Sequence, residues 1–116
     1  MANTQYINLN YLQDISGGDE EFVRDLLETF VSNSPQDIQI ITDALAAHQW
    51  DTIWKMGHKL KSSSKFMGAE HMAEAAAEIE CYCKQVDKIE IPHIQILIKN
   101  LEQQFALAQT EIQGLL

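Results

Sequence analysis

Residues 50–69 have the sequence WDTIWKMGHKLKSSSKFMGA, which predicts one long amphipathic helix and the point where it ends. Small and apolar residues recur there in steps of four, three, four and three, the spacing of one face of an α-helix. Asp51 is a candidate N-cap, and Gly68 predicts the helix end, because glycine readily adopts the left-handed conformation that closes many helices. We expect the buried face to consist of Ile53, Gly57, Leu60, Ser64 and Met67.

Two further helices are predicted downstream. Residues 69–86 repeat the helical stepping directly after Gly68, so this helix and the preceding one should form a hairpin. Pro92 then opens a last helix that we expect to end before Gly114, since proline is favoured in the first turn and glycine beyond the last. The predicted core positions are Met72, Ala76, Ile79, Cys83 and Val86 in the first of these helices, and Ile94, Leu97, Ile98, Leu101, Phe105, Ala108 and Ile112 in the second.

The N-terminal part carries a short helix and a longer helical segment. Residues 7–15 are amphipathic and are followed by a Ser-Gly-Gly turn at residues 16–18. The acidic residues 19–21 then favour a helix start, because negative charge is stabilised at a helix N-terminus. The apolar stripe continues past Pro35 and Ser34 can cap a new start, so one kinked helix and two separate helices both fit. Its predicted core positions are Val23, Leu27, Phe30, Ile38, Ile41 and Leu45.

These segments predict an all-α fold. Four long amphipathic segments with short connections are typical of an antiparallel up-down-up-down four-helix bundle, here with residues 7–15 as an accessory N-terminal helix. A length of 116 residues with 46% apolar content suits one domain over residues 1–116, with a core that needs no metal or disulfide. Because one chain supplies all the helices of a bundle, we expect a monomer.

Composition excludes several function classes. The formal net charge is −9, which disfavours nucleic acid and anionic membranes as partners. Neither a signal peptide nor an apolar run of membrane-spanning length is visible, and Cys81 and Cys83 lie too close together to join distant parts of a fold, so we expect a protein of the reducing cytoplasm. The acidic residues Glu70, Glu74 and Glu78 form an i, i+4 ladder that we expect to face water.

The basic residues are unevenly distributed. Four of the eight lie within eleven positions around His58, namely Lys55, Lys59, Lys61 and Lys65. At about 100° per residue, Trp54, His58, Lys61, Ser62 and Lys65 share one sector of the helix, away from the predicted core stripe. His58 is therefore predicted to be accessible to solvent.

This pattern allows a chemical interpretation of His58. Neutral imidazole is a good nucleophile near neutral pH, because the unperturbed pKa of histidine is about 6.5. Neighbouring lysines disfavour imidazolium and stabilise negative charge on an incoming phosphoryl group. The alternative is an ordinary solvated histidine among lysines, and spacing alone does not decide between the two.

Residues 58–69, HKLKSSSKFMGA, closely resemble the signature H-x-L-K-G-S-S-x-x-L-G-A of histidine-containing phosphotransfer domains. His58 matches the phosphorylated histidine, Leu60 the core leucine and Lys61 the lysine near the phosphate. Matches follow at the small residues Ser63 and Ser64 and at the turn residues Gly68 and Ala69, and the chain length and helix order also resemble this family. Ser62 departs from the pattern, which has glycine there, and its hydroxymethyl group can either crowd the imidazole or form a hydrogen bond with it.

The resemblance implies a mechanism and partners. A receiver domain carrying a phosphoaspartate would dock over this face, and Nε2 of His58 would attack phosphorus reversibly, passing the group later to another receiver. Lys61 would neutralise phosphoryl charge. Lys65 lies one turn after Lys61, and from this position we infer that it assists. The resemblance implies response-regulator receivers and a hybrid sensor histidine kinase as partners. Apolar docking surface near His58 is expected from the accessory helix, with Ile7, Leu9 and Leu12, or from the first long helix.

No cofactor is expected on this chain, since the magnesium would belong to the receiver. The 116 residues contain no Gly-rich phosphate loop and leave no room for an ATP-binding domain, so we expect a phosphotransfer protein without kinase activity of its own.

Three other interpretations apply to parts of this sequence. A histidine-kinase dimerisation helix typically has an acidic residue after the histidine and a proline soon afterwards, whereas this chain has Lys59 and no such proline. A metal site is disfavoured because Cys81 and Cys83 would point to opposite sides of a helix, with Cys83 in the core. A helical interaction module that is never phosphorylated remains as the alternative function.

Overall fold

The structure, a computed structural model, describes residues 4–85 and 87–116. Within these ranges the chain forms five α-helices and no strand, which confirms the all-α prediction. In chain order they are α1 (Leu9–Ile15), α2 (Glu20–Ala46), α3 (Trp50–Phe66), α4 (Glu70–Gln85) and α5 (Ile91–Leu115).

The long helices form an elongated bundle with principal extents of 47 × 20 × 19 Å. Helix α3 packs between α2 and α4, and α5 closes the bundle against α4 and α2, while α1 lies against α2. Because consecutive long helices are neighbours joined by short connections, they run antiparallel, as predicted. Helices α3 and α5 are diagonal to each other, so the outer face of α3 is left open.

The predicted core stripes are confirmed with few changes. Leu45 is only half-buried, and Ala44 takes the buried position beside it. Val86 lies outside the described residues. Gly114 does not end α5, which continues to Leu115. None of the helices in the described ranges is long and apolar enough to cross a membrane.

Helix α2 is one continuous helix through Pro35. Asp19 caps its start by accepting a hydrogen bond from the Phe22 N–H at 3.1 Å. Ser34 is buried inside the helix and does not start a new one. Apolar side chains are buried both before and after the proline, and this tertiary packing compensates for the helical hydrogen bond that proline removes.

The start of α3 corrects the expected role of Asp51. Gln49 is the N-cap and makes no side-chain capping bond, whereas Asp51 lies in the first turn and accepts a bond from the Trp54 indole N–H at 3.3 Å. The preceding turn sets this boundary: His48 has a left-handed φ of 55°, and the Gln49 N–H donates back to the Ala44 carbonyl at 2.8 Å. This closing bond of α2 places the start of α3 two residues earlier than a cap at Asp51 requires.

The turn from α3 to α4 depends on Gly68. Its φ is 71°, its N–H donates to the Lys65 carbonyl at 3.0 Å, and the Ala69 N–H donates to the Ser64 carbonyl at 2.8 Å. These paired bonds form a Schellman motif. A Cβ at this position would lie 2.3 Å from Cβ of Asn8, so glycine is required for both conformation and space.

Residues 5–8 form an N-terminal strap across the bundle. The Glu111 carboxylate accepts hydrogen bonds from three consecutive backbone N–H groups, those of Gln5 at 2.7 Å and of Tyr6 and Ile7 at 3.0 Å. The Asn8 N–H donates to the Met67 carbonyl at 3.0 Å. The strap therefore joins the last turns of α5 to the turn between α3 and α4.

Gly57 lies where α3 approaches α4. A Cβ there would be 3.1 Å from the Ala76 carbonyl oxygen and 3.3 Å from the Glu80 backbone nitrogen. The absence of a side chain thus allows the backbone of α4 to pack closely beside Gly57, the residue directly before His58.

Candidate functional site

His58 lies on the outer face of α3, with 60% of its side chain exposed. The predicted accessibility is therefore confirmed. Its Nδ1 is 2.7 Å from Oε2 of Glu80 on α4. When the carboxylate is ionised it can only accept, so Nδ1 carries a proton and donates it, and in the neutral imidazole Nε2 then keeps the free lone pair.

Glu80 is a buried carboxylate with both oxygens engaged. Oε2 contacts His58, and Oε1 accepts a hydrogen bond from Nζ of Lys61 at 2.7 Å. The hydrogen bond from Lys61 lowers the pKa of Glu80; burial opposes this shift, and the hydrogen bond from His58 adds to it. The carboxylate is therefore ionised at neutral pH.

Sequence reasoning overlooked Glu80. The glutamates that it singled out, Glu70, Glu74 and Glu78, are exposed as predicted. Glu80 is adjacent to Ile79 of the core stripe and four residues after Ala76, so it lies on the side of α4 that faces α3. A charged residue on the buried side of a helix is unusual unless it has a partner. The position of Glu80 beside the core stripe was therefore the signal in the sequence that could have identified it.

Lys61 meets His58 through their shared carboxylate. The Lys61 side chain is only 26% exposed, and its ammonium group is paired with Glu80. Its positive charge is thus already balanced, which differs from the expectation of lysines acting directly on the imidazole. The three side chains form one hydrogen-bonded group across the α3–α4 interface.

Ser62 and Lys65 are exposed and are not drawn into this group. The structure has no hydrogen bond between Ser62 and the His58 imidazole, and the large exposed fraction of the ring shows that the serine does not cover it. Lys65 lies about 10 Å further along the helix axis from His58, by the rise per residue. Lys59, on the other flank of α3, pairs with Asp37 of α2 at 2.9 Å.

A cleft of about 370 Å³ opens between α3 and α4 beside His58. One wall is Trp54, whose ring centroid is 4.9 Å from Nζ of Lys84 and 5.8 Å from Nζ of Lys55. Lys84 is not one of the four lysines that cluster around His58 in the sequence. Packing of α4 against α3 brings it to the same cleft as the histidine.

The cysteines occupy different environments. Cys83 is buried, as predicted, and burial raises the pKa of its thiol to about 11. Cys81 is exposed. In the described part of the chain, no cluster of three or more His, Cys, Asp or Glu side chains is arranged to hold a metal ion.

Comparisons with known proteins agree with this geometry. The family model described as the Hpt domain matches residues 25–112. A curated relative, the phosphorelay intermediate protein rdeA of Dictyostelium discoideum, is 28% identical over 87 residues, which cover 75% of this chain and 34% of that protein. The chain thus spans about a third of the length of this relative.

A solved structure shows the same fold. The crystal structure of histidine-containing phosphotransfer protein B (HptB) from Pseudomonas aeruginosa PAO1 superposes with a TM-score of 0.83 at 23% identity, over 97% of this chain and 95% of that chain. The family match covers most of the sequence, including His58 and Glu80. The chain therefore belongs to the Hpt domain family, the histidine-containing phosphotransfer domains of two-component signalling, as its motif predicted.

Proposed function

We propose that His58 of this phosphotransfer domain accepts a phosphoryl group from the phosphoaspartate of one receiver domain and passes it to the aspartate of another. The observation that carries the proposal is the 2.7 Å contact between Nδ1 of His58 and Glu80, on an imidazole that is otherwise open to solvent. Expected partners are a hybrid sensor histidine kinase and response regulators. We further propose that the domain acts in the cytoplasm as a monomer.

The geometry accounts for the individual steps of transfer. The Nε2 lone pair of His58 attacks phosphorus, the P–N bond forms, the bond from phosphorus to the receiver's carboxylate oxygen breaks, and aspartate leaves as carboxylate. No proton has to leave the ring, because Nδ1 keeps its hydrogen. The positive charge that the imidazole gains lies beside the Glu80 carboxylate, which Lys61 holds in place. Any magnesium required would be bound by the receiver.

An apolar groove of about 390 Å³ between α2 and α3, on the flank of α3 that carries Lys59, offers a docking surface. Phe22 and Phe66 line it, with 43% and 44% of their surfaces exposed. Of the accessory residues expected to dock, Ile7 and Leu12 are buried in the core, and Leu9 is partly buried against it. We propose that the receiver covers this groove while its phosphoaspartate faces His58.

The first test is to mix the chain with phosphorylated receivers of the same organism and locate the label. We expect acid-labile label on His58 and none on a His58→Gln variant. A chain that binds receivers without becoming labelled would instead be the unphosphorylated interaction module. Label that persists unchanged in His58→Gln would show that another residue is the acceptor.

The docking surface is tested separately with a matched pair of exposed apolar residues. Phe66→Ser should weaken receiver binding, whereas Ile96→Ser should not, because Ile96 is 65% exposed on α5, diagonal to α3. The measurement is receiver affinity by calorimetry. Equal effects of the two variants would place docking elsewhere on the molecule.

A further inference from the structure

We infer that Lys84 is a phosphate-binding residue, held against the Trp54 ring while His58 is free and recruited to the phosphoryl oxygens once His58 is phosphorylated. This inference rests on the proposed function of His58. It assigns a role to a residue outside the sequence motif. Trp54 becomes a positioning residue that keeps this cation at the edge of the cleft.

The charge balance around His58 calls for a second cation. The phosphoryl group carries about two negative charges at neutral pH, and the positive charge that the imidazole gains balances only one of them, so loading adds about one net negative charge. Lys61 is already paired with Glu80 at 2.7 Å, so the neutral His58, Glu80 and Lys61 together carry no net charge. A phosphorylated His58 therefore needs positive charge from another residue.

Lys84 is the available cation in the cleft. It lies one turn after Glu80 on α4 and lines the same cleft as His58. Within the described residues no carboxylate lies within 4 Å of its ammonium group. Lys59 is bound to Asp37 on the other flank of α3, and Lys65 is two helical turns from His58.

The contact between Lys84 and the Trp54 ring is weak enough to be replaced by a contact with phosphate. Its Nζ lies 4.9 Å from the ring centroid of Trp54, a cation–π contact on a solvent-accessible site. A charge-assisted hydrogen bond to phosphate is stronger than such a contact. The Trp54 ring is oriented by its N–H bond to Asp51, and Trp54 is one helical turn before His58 on the same face of α3. A short movement of the lysine side chain therefore connects the two positions.

The first measurement is the equilibrium between a phosphorylated receiver and the domain. We expect Lys84→Gln to lower the ratio of phosphohistidine to phosphoaspartate about three- to tenfold, since one partly exposed charge-assisted bond is lost. Lys55→Gln is the matched control, because Lys55 also lies over the Trp54 ring but does not line the cleft. Equal ratios for both variants would overturn the inference.

The second measurement does not depend on a receiver. Phosphoramidate transfers its phosphoryl group to an imidazole nitrogen and releases ammonia, so it loads His58 directly, with His58→Gln as the control for other histidines. In a Trp50→Phe background, Trp54 fluorescence should change on loading and should not change in Lys84→Gln. An unchanged signal in the loaded Lys84-containing protein would overturn the inference.

These outcomes separate the inference from the proposed function. Failure of every receiver to label His58 contradicts the proposed function, while loading by phosphoramidate still reports on Lys84. Normal receiver labelling with identical behaviour of Lys84→Gln and Lys55→Gln contradicts only the role of Lys84.

Discussion

Oε2 of Glu80 lies 2.7 Å from Nδ1 of His58, so the proposed phosphoryl acceptor on α3 is bound by a carboxylate of the neighbouring helix. This contact has two chemical effects. It selects the tautomer in which Nε2 keeps its lone pair, and it places negative charge where the ring would become positive in the proposed transfer. Both effects can be separated by substitution.

Replacing Glu80 with glutamine should slow transfer. The amide oxygen can still accept the Nδ1 proton, but it lacks the charge that compensates the ring, so we expect about a tenfold lower single-turnover rate. Glu80→Ala, which also removes the acceptor, should be slower still and should shift the ¹⁵N signals of His58 towards the other tautomer. Glu78→Gln, at an exposed position of the same helix, is the control. A normal rate in Glu80→Gln would rule out the charge effect.

Stability should depend on pH through Glu80. Because the hydrogen bond from Lys61 lowers the pKa of Glu80 below the ordinary value of 4.5, the ionised form stabilises the fold above about pH 4.5. That contribution is lost as the pH falls through the folded-state pKa. The difference in unfolding free energy between the unsubstituted chain and Glu80→Gln, measured in urea, should therefore shrink between pH 5 and pH 3. A constant difference would contradict this linkage.

Removing Lys61 should reverse the shift of Glu80. In Lys61→Met the carboxyl group stays buried but loses its main stabilising hydrogen bond, so its pKa should rise. NMR titration of the Glu80 side-chain carboxyl measures this directly. Lys65→Met, on the same helix but without contact to Glu80, should leave the titration unchanged.

Gly68→Ala should be much more destabilising than Gly17→Ala. Both glycines have positive φ, 71° and 66°, so both variants incur about 1 kcal/mol of backbone strain. Only a Cβ at position 68 would also overlap Asn8, whereas position 17 is open. We expect a total loss of about 2–4 kcal/mol at Gly68, from urea unfolding. Equal losses would mean that the strap moves aside without cost.

An aspartate at position 49 should stabilise α3. Gln49 occupies the N-cap without a side-chain bond, whereas Asp19 caps α2 with one. Gln49→Asp is expected to add about 0.5–1 kcal/mol to the unfolding free energy, and Asp19→Ala to remove about 1 kcal/mol. Thermal unfolding measures both, and a neutral Gln49→Asp would show that the local turn prevents the capping geometry.

Glu111 should anchor the N-terminal strap. Glu111→Ala leaves three backbone N–H groups without their acceptor, so we expect a loss of about 1–3 kcal/mol and faster amide exchange at residues 5–7. Glu102→Ala, at an exposed position of α5, is the control. Unchanged exchange at those amides would mean that the strap is held by other contacts.

The helices were predictable because apolar spacing reports which face is buried, and the accessibility of His58 followed from the same periodicity. Glu80 and Lys84 were not found, since their positions beside His58 depend on how α4 is rotated against α3. Apolar spacing also did not decide whether α2 is one helix or two. A proline weakens the local preference for helix, whereas long-range packing keeps the helix continuous. The expected cap at Asp51 was wrong because the turn that closes α2, in which the Gln49 N–H donates to the Ala44 carbonyl, sets the boundary.

Gly57 has a consequence for how the domain would serve the two receivers of the proposed function. Because Gly57 carries no side chain, α4 can pack closely against α3. The Glu80 carboxylate is therefore in contact with His58 before any receiver binds. The proposed nucleophile is thus assembled in the isolated protein, without a lid or an induced rearrangement. Under the proposed function, donor and acceptor receivers would meet the same prepared imidazole, so a preference between them would have to arise from the contacting surfaces and not from the reacting atoms.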